Sequence, residues 1–308
     1  MIPMKDILEE ISKRSRLKAT EGTIASYIPE LAKADPEAFG LAVTECDGSQ
    51  YLSGNWDHPF TLQSISKIVT LALALEERGP ERVFSSVGTS PTADPFNSIM
   101  RLEMDAPHRP NNPLINSGAI VVVSLLPEEG RERKINAIMD LCRKLMANDS
   151  IDIDDRVYRS EKNTSDRNRS LAYFLRSVGS LNGDIEDILD VYFRQCSIKT
   201  CAKDLSIMGA TFACDGLNPI SGKQIISPST ARTVRAIMTT CGMYDGSGEF
   251  AVKVGIPAKS GVGGGILGTV PGRMGIGVVS PPLDEKGNSV AGLAAMKEIS
   301  EKLRCRVL

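Results

Sequence analysis

Read as a helix, the run SISKIVTLALALEER at residues 64–78 has almost no polar face: from Ile68 to Leu75 only Thr70 is polar. A helix that is apolar nearly all round must be buried on most sides, so the chain has to pack other elements around it. Gly79-Pro80 marks its end, because glycine supplies a left-handed cap and proline cannot continue the helix. The 308 residues suffice for such a core, in one large domain or two lobes.

The segments around this helix change character along the chain. Ile7, Leu8 and Ile11 recur at helical spacing near the start, and a second short helix is predicted within IASYIPELAKADP. FGLAVTECDGSQYLSG reads as two strands, with Asp47-Gly48 as the hairpin turn. A long irregular stretch then runs to APHRPNNPLINSGA, where prolines and asparagines favour turns. A loop of that length in a compact protein is usually functional or disordered. Helical patterns dominate from Asn116 to about Cys241, as in INAIMDLCRKLM and DIEDILDVYFRQC. AKSGVGGGILGTVP and MGIGVVSPP return to strands, and SVAGLAAMKEISEKLRC closes the chain as an amphipathic helix. The order implies an α/β protein of the α+β type: a mainly antiparallel sheet flanked by helices, plus a helical lobe. The expected division is one domain, 1–308, with a sheet lobe of about 1–63 and 225–308 and a helical lobe of about 64–224. A cleft between the lobes is the natural place for a small-molecule site.

Several classes of function are disfavoured. A formal net charge of −2 gives no electrostatic reason to bind nucleic acid or an anionic membrane. No apolar run reaches the ~18 residues of a membrane span. MIPMKDILEEISKRSR carries early acids and lacks the apolar centre of a secretory signal. The seven cysteines form an odd set without C-x-x-C, which reads as reduced thiols in a cytoplasmic protein. With only His58 and His108, a histidine triad or histidine-rich metal site is not expected, and Cys196 and Cys201 are poorly spaced for zinc. Neither a metal nor an organic cofactor is expected.

The chemistry that remains centres on Ser64 and Lys67. Three positions apart at a helix start, they share a face, so the lysine amine can reach the serine hydroxyl. Serine is a weak nucleophile until a base takes its proton. Lysine can be that base only if burial or a nearby positive charge lowers its pKa. Free N–H groups at the helix start could hold an oxyanion. The plain alternative is a serine-capped core helix, and Ser66 keeps that reading. A second lysine stands in Lys259-Ser260-Gly261 on a predicted strand. Serine acylating enzymes carry S-x-x-K on a helix, an asparagine element, and K-T-G on a strand, in this order. The glycines after Ser260 allow close backbone approach to a ligand, but no helix follows them, which excludes a dinucleotide fingerprint. Asn116, Glu161, Asp166, Asn168, Tyr192 and Tyr244 are polar residues in settings from which they could face a cleft, although each also has an ordinary structural role open to it.

Taken together, ASYIPELA, TLQSISK, RPNNPLINSGA, SDRN, DVYFRQCSI, CGMYDGSGEF, GIPAKSGVGGGI and SPPLDEKGNS resemble the serine-dependent glutaminase family over about residues 25–290. The resemblance implies a serine β-lactamase-like fold and hydrolysis of L-glutamine to L-glutamate and ammonia. It implies Ser64 as nucleophile, Lys67 as base, Tyr244 as proton carrier, and the N–H groups of Ser64 and Val262 as oxyanion hole. Lys259 matches the K-T-G lysine, with Ser260 in place of threonine. Tyr27, Asn116, Glu161, Asn168, Tyr192 and Tyr244 would hold the substrate. The resemblance also implies a homo-oligomer, a dimer or tetramer. The rival readings are a β-lactam-interacting serine hydrolase and a non-catalytic amino-acid-binding protein on the same scaffold.

Overall fold

The computed structural model describes residues 3–104, 106–127 and 129–307. Seven strands are present among them: β1 Gly40–Glu45, β2 Gln50–Gly54, β3 Phe60–Thr61, β4 Lys199–Thr200, β5 Ala258–Gly261, β6 Gly265–Val270 and β7 Met274–Val279. Twelve α-helices accompany them: α1 Met4–Arg16, α2 Ser66–Ser86, α3 Met100–Met104, α4 Asn116–Leu125, α5 Arg131–Met146, α6 Asp155–Thr164, α7 Asp166–Ser177, α8 Ile185–Cys196, α9 Ala202–Ala213, α10 Pro228–Cys241, α11 Ser247–Lys253 and α12 Val290–Lys302. Five strands form one antiparallel sheet in the order β2-β1-β7-β6-β5, and β3 pairs with β4 in a small ribbon. None of the described helices is long and apolar enough to cross a membrane.

Side-chain alternation explains how the sheet is covered. Leu41 and Val43 of β1, with Ile276 and Val278 of β7, face α1 and α12 and pack with Leu8, Ile11, Ala295 and Ile299. The opposite face is made of small residues, because α9 lies almost on the backbone there. A Cβ added at Gly275 would stand 1.9 Å from the Ala210 nitrogen, and one at Gly277 would stand 2.1 Å from the Ala202 oxygen. Thr44 and Ser206 bridge the same seam by a 2.7 Å hydroxyl–hydroxyl bond. Beyond α9 lies the larger core, where α2 is packed by α4, α5, α8 and α10. The apolar run at 68–75 is thus buried as its composition demands.

Local readings fare unevenly. The hairpin forms as expected, with Gly48 at φ +90° and Asp47 accepting the Ser49 N–H at 2.8 Å. Gly79 breaks the helix as expected: its φ of 74° and ψ of 161° are non-helical, and a second helical piece starts at Pro80. The helix expected in IASYIPELAKADP is only a 3-10 turn, Leu31–Lys33. Pro29 and Pro36 account for this, since each biases the residue before it away from helical geometry. The expectation that all cysteines are free thiols also needs correction. Cys46, after β1, is disulfide-bonded to Cys214, at the end of α9, across a separation of 168 residues. The fold brings their Cα atoms within 6.0 Å, which no local spacing could announce. Cys142, Cys196, Cys201, Cys241 and Cys305 are free.

The α9 seam makes a testable demand. Gly275→Ala should destabilise the protein by ~3 kcal/mol or more through overpacking against backbone. Gly272→Ala, at φ +69° with nothing within 4 Å, should cost only the ~1 kcal/mol of left-handed strain. Urea unfolding midpoints measure both; equal losses would contradict the close approach.

Candidate active site

The chain reaches α2 through a 3-10 turn, Gln63–Ile65, so Ser64 stands just before the α-helix rather than in its first turn. Gln63 has a φ of +48°, a left-handed conformation that persists only where neighbours enforce it. Those neighbours are visible. The Leu62 N–H is held by the Ile198 carbonyl at 2.8 Å, and the Ser66 hydroxyl donates to the Gln63 carbonyl at 2.7 Å. β5 presses on the same turn so closely that a Cβ at Gly261 would lie 2.5 Å from the Leu62 oxygen. That contact brings Val262, the next residue, into the pocket where Ser64 lies.

Lys67, one turn further, is 1% exposed. Its ammonium donates to Asn116 Oδ1 at 2.7 Å and to the Leu114 carbonyl at 3.2 Å, both at the start of α4. No hydrogen bond joins it to Ser64 among the described residues, although the two share a helix face. Burial lowers its pKa to about 8, against the opposing pull of Cys196 and Glu161. Lys259 on β5 is likewise buried and bonded only to the carbonyls of Gly242 and Ser260. Desolvation, and then the charge of Lys67, push its pKa well down. Its amine sits 4.4 Å from the centre of the Tyr244 ring, so it packs behind that ring and does not line the pocket.

Tyr244 opens a 3-10 turn, Tyr244–Gly246, and has a φ of +55°. Its ring packs on Phe96 with centroids 4.8 Å apart. Its hydroxyl has no hydrogen bond of full geometry. Burial raises the phenol, while the nearby Ser64 hydroxyl and Val262 amide draw it down.

The rest of the pocket comes chiefly from four helices and the loop that carries Tyr27. Asn116 opens α4, Glu161 lies in α6, Asn168 in α7 and Tyr192 in α8, and all four line it. Asn116 Nδ2 donates to Asn168 Oδ1 at 2.8 Å, which extends the bond from Lys67 into a chain of three side chains. Glu161 is 4% exposed and its Oε2 has no protein partner. Burial raises this carboxyl far above its usual range, while Gln63, Lys67 and Cys196 draw it down. Tyr192 is buried, and its phenol is raised chiefly by desolvation. Tyr27 covers the mouth: the residue is 55% exposed, yet its hydroxyl end is desolvated enough to be raised well above normal.

Among the pocket residues not singled out from the sequence are Gln63, Phe96 and Cys196. Gln63 adjoins the nucleophile position and Phe96 comes from the irregular loop. Cys196 was read only as a structural thiol, but its place four residues after Tyr192 on α8 puts both on one face. Asp166, beside Asn168, does not line the pocket and pairs loosely with Arg169. Two roomier clefts exist, one beside Glu249, Lys286 and Asn288 and one beside His58, Asp154 and Lys199. Val262 also borders the second of these, but neither contains Ser64, which lines the narrower pocket with Asn116, Glu161, Asn168 and Tyr192.

A profile of the glutaminase family matches residues 22–308. The chain belongs to the glutaminase family. Glutaminase 2 of Clostridium perfringens is 51% identical over 300 residues, 97% of this chain and 98% of that one. A solved probable glutaminase of Bacillus subtilis is 36% identical with a TM-score of 0.92, covering 99% of this chain and 97% of that one. The B. subtilis glutaminase complexed with 6-diazo-5-oxo-L-norleucine is 34% identical with a TM-score of 0.91, covering 100% and 97%. Glutaminases share a serine β-lactamase-like fold, in which S-x-x-K opens a helix and the K-T-G-type lysine lies on a strand. Ser64, Lys67 and Lys259 occupy those places here.

Proposed function

We propose that the chain is a single-domain enzyme that hydrolyses L-glutamine to L-glutamate and ammonia through a γ-glutamyl ester on Ser64. Family membership supplies the reaction. The observation that carries the residue roles is one pocket holding Ser64, in the 3-10 turn three residues before a buried lysine of lowered pKa, together with a buried Glu161 carboxyl whose Oε2 has no hydrogen-bond partner among the described residues.

The substrate is a zwitterion with a neutral amide at its far end. Its ammonium pairs with Glu161, helped by the amide groups of Asn116 and Asn168. Its carboxylate accepts from Tyr27 and Tyr192, whose raised pKa values keep both phenols protonated as donors. Such pairing rejects molecules lacking the α-groups, because buried polar atoms would be left unmatched. Lys67 then takes the Ser64 proton, and the hydroxyl oxygen attacks the amide carbon. The N–H groups of Ser64 and Val262 hold the oxyanion. The leaving nitrogen departs as ammonia after receiving a proton from Lys67 or Tyr244, and water hydrolyses the ester by the reverse path. Lys259 stands behind the Tyr244 ring, where burial and the charge of Lys67 make its own amine easy to deprotonate. Assembly as a homo-oligomer belongs to the same reading and rests on the family resemblance; residence in the cytoplasm rests on the composition of the first residues and on the thiols, of which five of the seven are free.

Substrate binding also prepares the base. In the free protein an ionised Glu161 adds, after Cys196, to the hold on the Lys67 proton, although burial raises its own carboxyl to about 8. Once the substrate ammonium occupies Glu161, that support weakens and a second cation stands nearby, so Lys67 gives up its proton more readily.

Three measurements test this reading. Ser64→Ala should leave a folded protein with turnover below about one-thousandth of normal; near-normal ammonia release would end the serine mechanism. Glu161→Gln should raise KM for glutamine roughly 10- to 100-fold, the worth of a charge-assisted bond, without trapping acyl-enzyme; a stable acyl-enzyme would instead make Glu161 the deacylating base. With Lys67 required neutral, kcat/KM should climb with pH to a limb near 8, and the limb in kcat should lie at lower pH. Coincident limbs would refute the coupling between substrate and base.

A further inference from the structure

Tyr244 and Val262 must be held accurately for the reading above. Val262 sits in the short turn between β5 and β6. Tyr244 has a φ of +55°, which is uncommon for a residue with a bulky side chain. A strained residue of this kind persists only when its surroundings over-determine it.

The tight turn Asp284–Asn288, the DEKGN of the SPPLDEKGNS stretch, touches both. It is closed by Asp284, whose carboxylate accepts the N–H groups of Lys286 at 3.0 Å and Asn288 at 2.8 Å. The Asp284 N–H returns to the Asn288 carbonyl at 2.8 Å. At its tip, Gly287 has a φ of +88°, and a Cβ there would lie 3.5 Å from Val262 Cγ1 and 3.6 Å from Tyr244 Cε2. At its end, Asn288 is 2% exposed and its Nδ2 donates to the Met243 carbonyl at 3.4 Å, immediately before Tyr244. A Cβ at Gly246 would lie 3.4 Å from the same Nδ2, so Asn288 spans the Tyr244–Gly246 turn from end to end. Lys286 ties the outer side of the turn to Glu249 on α11 at 3.0 Å. On the opposite side, the Ser247 hydroxyl accepts from the Met243 N–H at 3.0 Å and donates to the Tyr244 carbonyl at 2.7 Å.

We propose that Asn288 is a positioning residue: seated by the Asp284–Asn288 turn, it holds Tyr244 in its left-handed conformation beside Ser64, while Gly287 backs the Tyr244 ring and Val262. The proposal rests on the reading of Tyr244 as proton carrier. Asn288 reaches neither the pocket nor the substrate, so it acts only through the Tyr244 turn. Its loss should therefore show in the chemical step and leave the grip on the amino-acid end of glutamine intact.

The test is a double-mutant cycle with glutamine turnover as readout. Asn288→Leu removes the donor and keeps the apolar contact; it should lower kcat at least about tenfold, as small misplacements of a reacting group do, with KM within about twofold. In a Tyr244→Phe background the same change should cost less than about twofold more, because the hydroxyl it positions is already gone. Circular dichroism and Tm verify folding. If Asn288→Leu does not fold, Asn288→Ala carries the same test, since it removes the Nδ2 donor without adding a charge. An equal kcat loss in both backgrounds, or a loss confined to KM, would overturn the positioning role while leaving Tyr244 as proton carrier. Near-normal turnover by Tyr244→Phe alone would overturn the proton-carrier reading and, with it, the catalytic consequence claimed for Asn288.

Discussion

Two lysine side chains, Lys67 and Lys259, are taken out of water at the seam between the sheet and the helical core, and the site is built around that cost. An isolated ammonium in such a place would be strongly destabilising. Lys67 is compensated by one side-chain oxygen and one carbonyl, and Lys259 by two carbonyls. Neither has a directly bonded carboxylate. The compensation is therefore partial, and each amine is left easier to deprotonate than an ordinary lysine. Full ion pairing would have stabilised the charged form and removed the basicity that the chemistry needs. The apolar body of α2 and the glycine-lined approach of β5 keep water from restoring it.

The same seam explains what could be read from the residues alone. The sheet and most helices were legible because their apolar positions repeat at the period of the element that forms, as in Leu41 and Val43 on β1 or the run at 68–75 of α2. The glycines of β7 were legible only as flexibility; their meaning, a helix lying almost on the backbone, depends on α9, some sixty residues earlier. The short helix expected around Leu31 did not form, because the two prolines outweigh the spacing of the apolar residues. Of the site, Ser64, Lys67 and Lys259 could be named from motif order, and Tyr27, Asn116, Glu161, Asn168 and Tyr192, which line the pocket, from family resemblance. That Lys67 is bonded to Asn116, that Lys259 packs against the Tyr244 ring, and that Gln63 and Cys196 share the pocket are facts of tertiary packing that no local pattern carries.

Two of the six non-glycine residues with positive φ among the described residues flank Ser64: Gln63 at +48° and Tyr244 at +55°, from two distant parts of the chain. Each is locked by hydroxyl-to-carbonyl bonds from a neighbouring serine, Ser66 for the first and Ser247 for the second. A serine three residues after a strained position can lock it because its side chain folds back onto the turn it follows. These two serines look dispensable in the sequence and are structural conditions for the site.

The Cys46–Cys214 bond gives the molecule a covalent topology that its secondary structure conceals. It closes a ring through both ends of the helical insertion. Ser64, Lys67, Asn116, Glu161, Asn168 and Tyr192 all lie inside that ring, whereas Tyr27, Tyr244, Lys259 and Val262 lie on the two tails outside it. The pocket is therefore a joint between a closed loop and its tails. A cut anywhere in the exposed loops of the ring leaves both pieces tethered, whereas a cut between Cys214 and Tyr244 would leave the part that supplies Tyr244 and Val262 held only by packing.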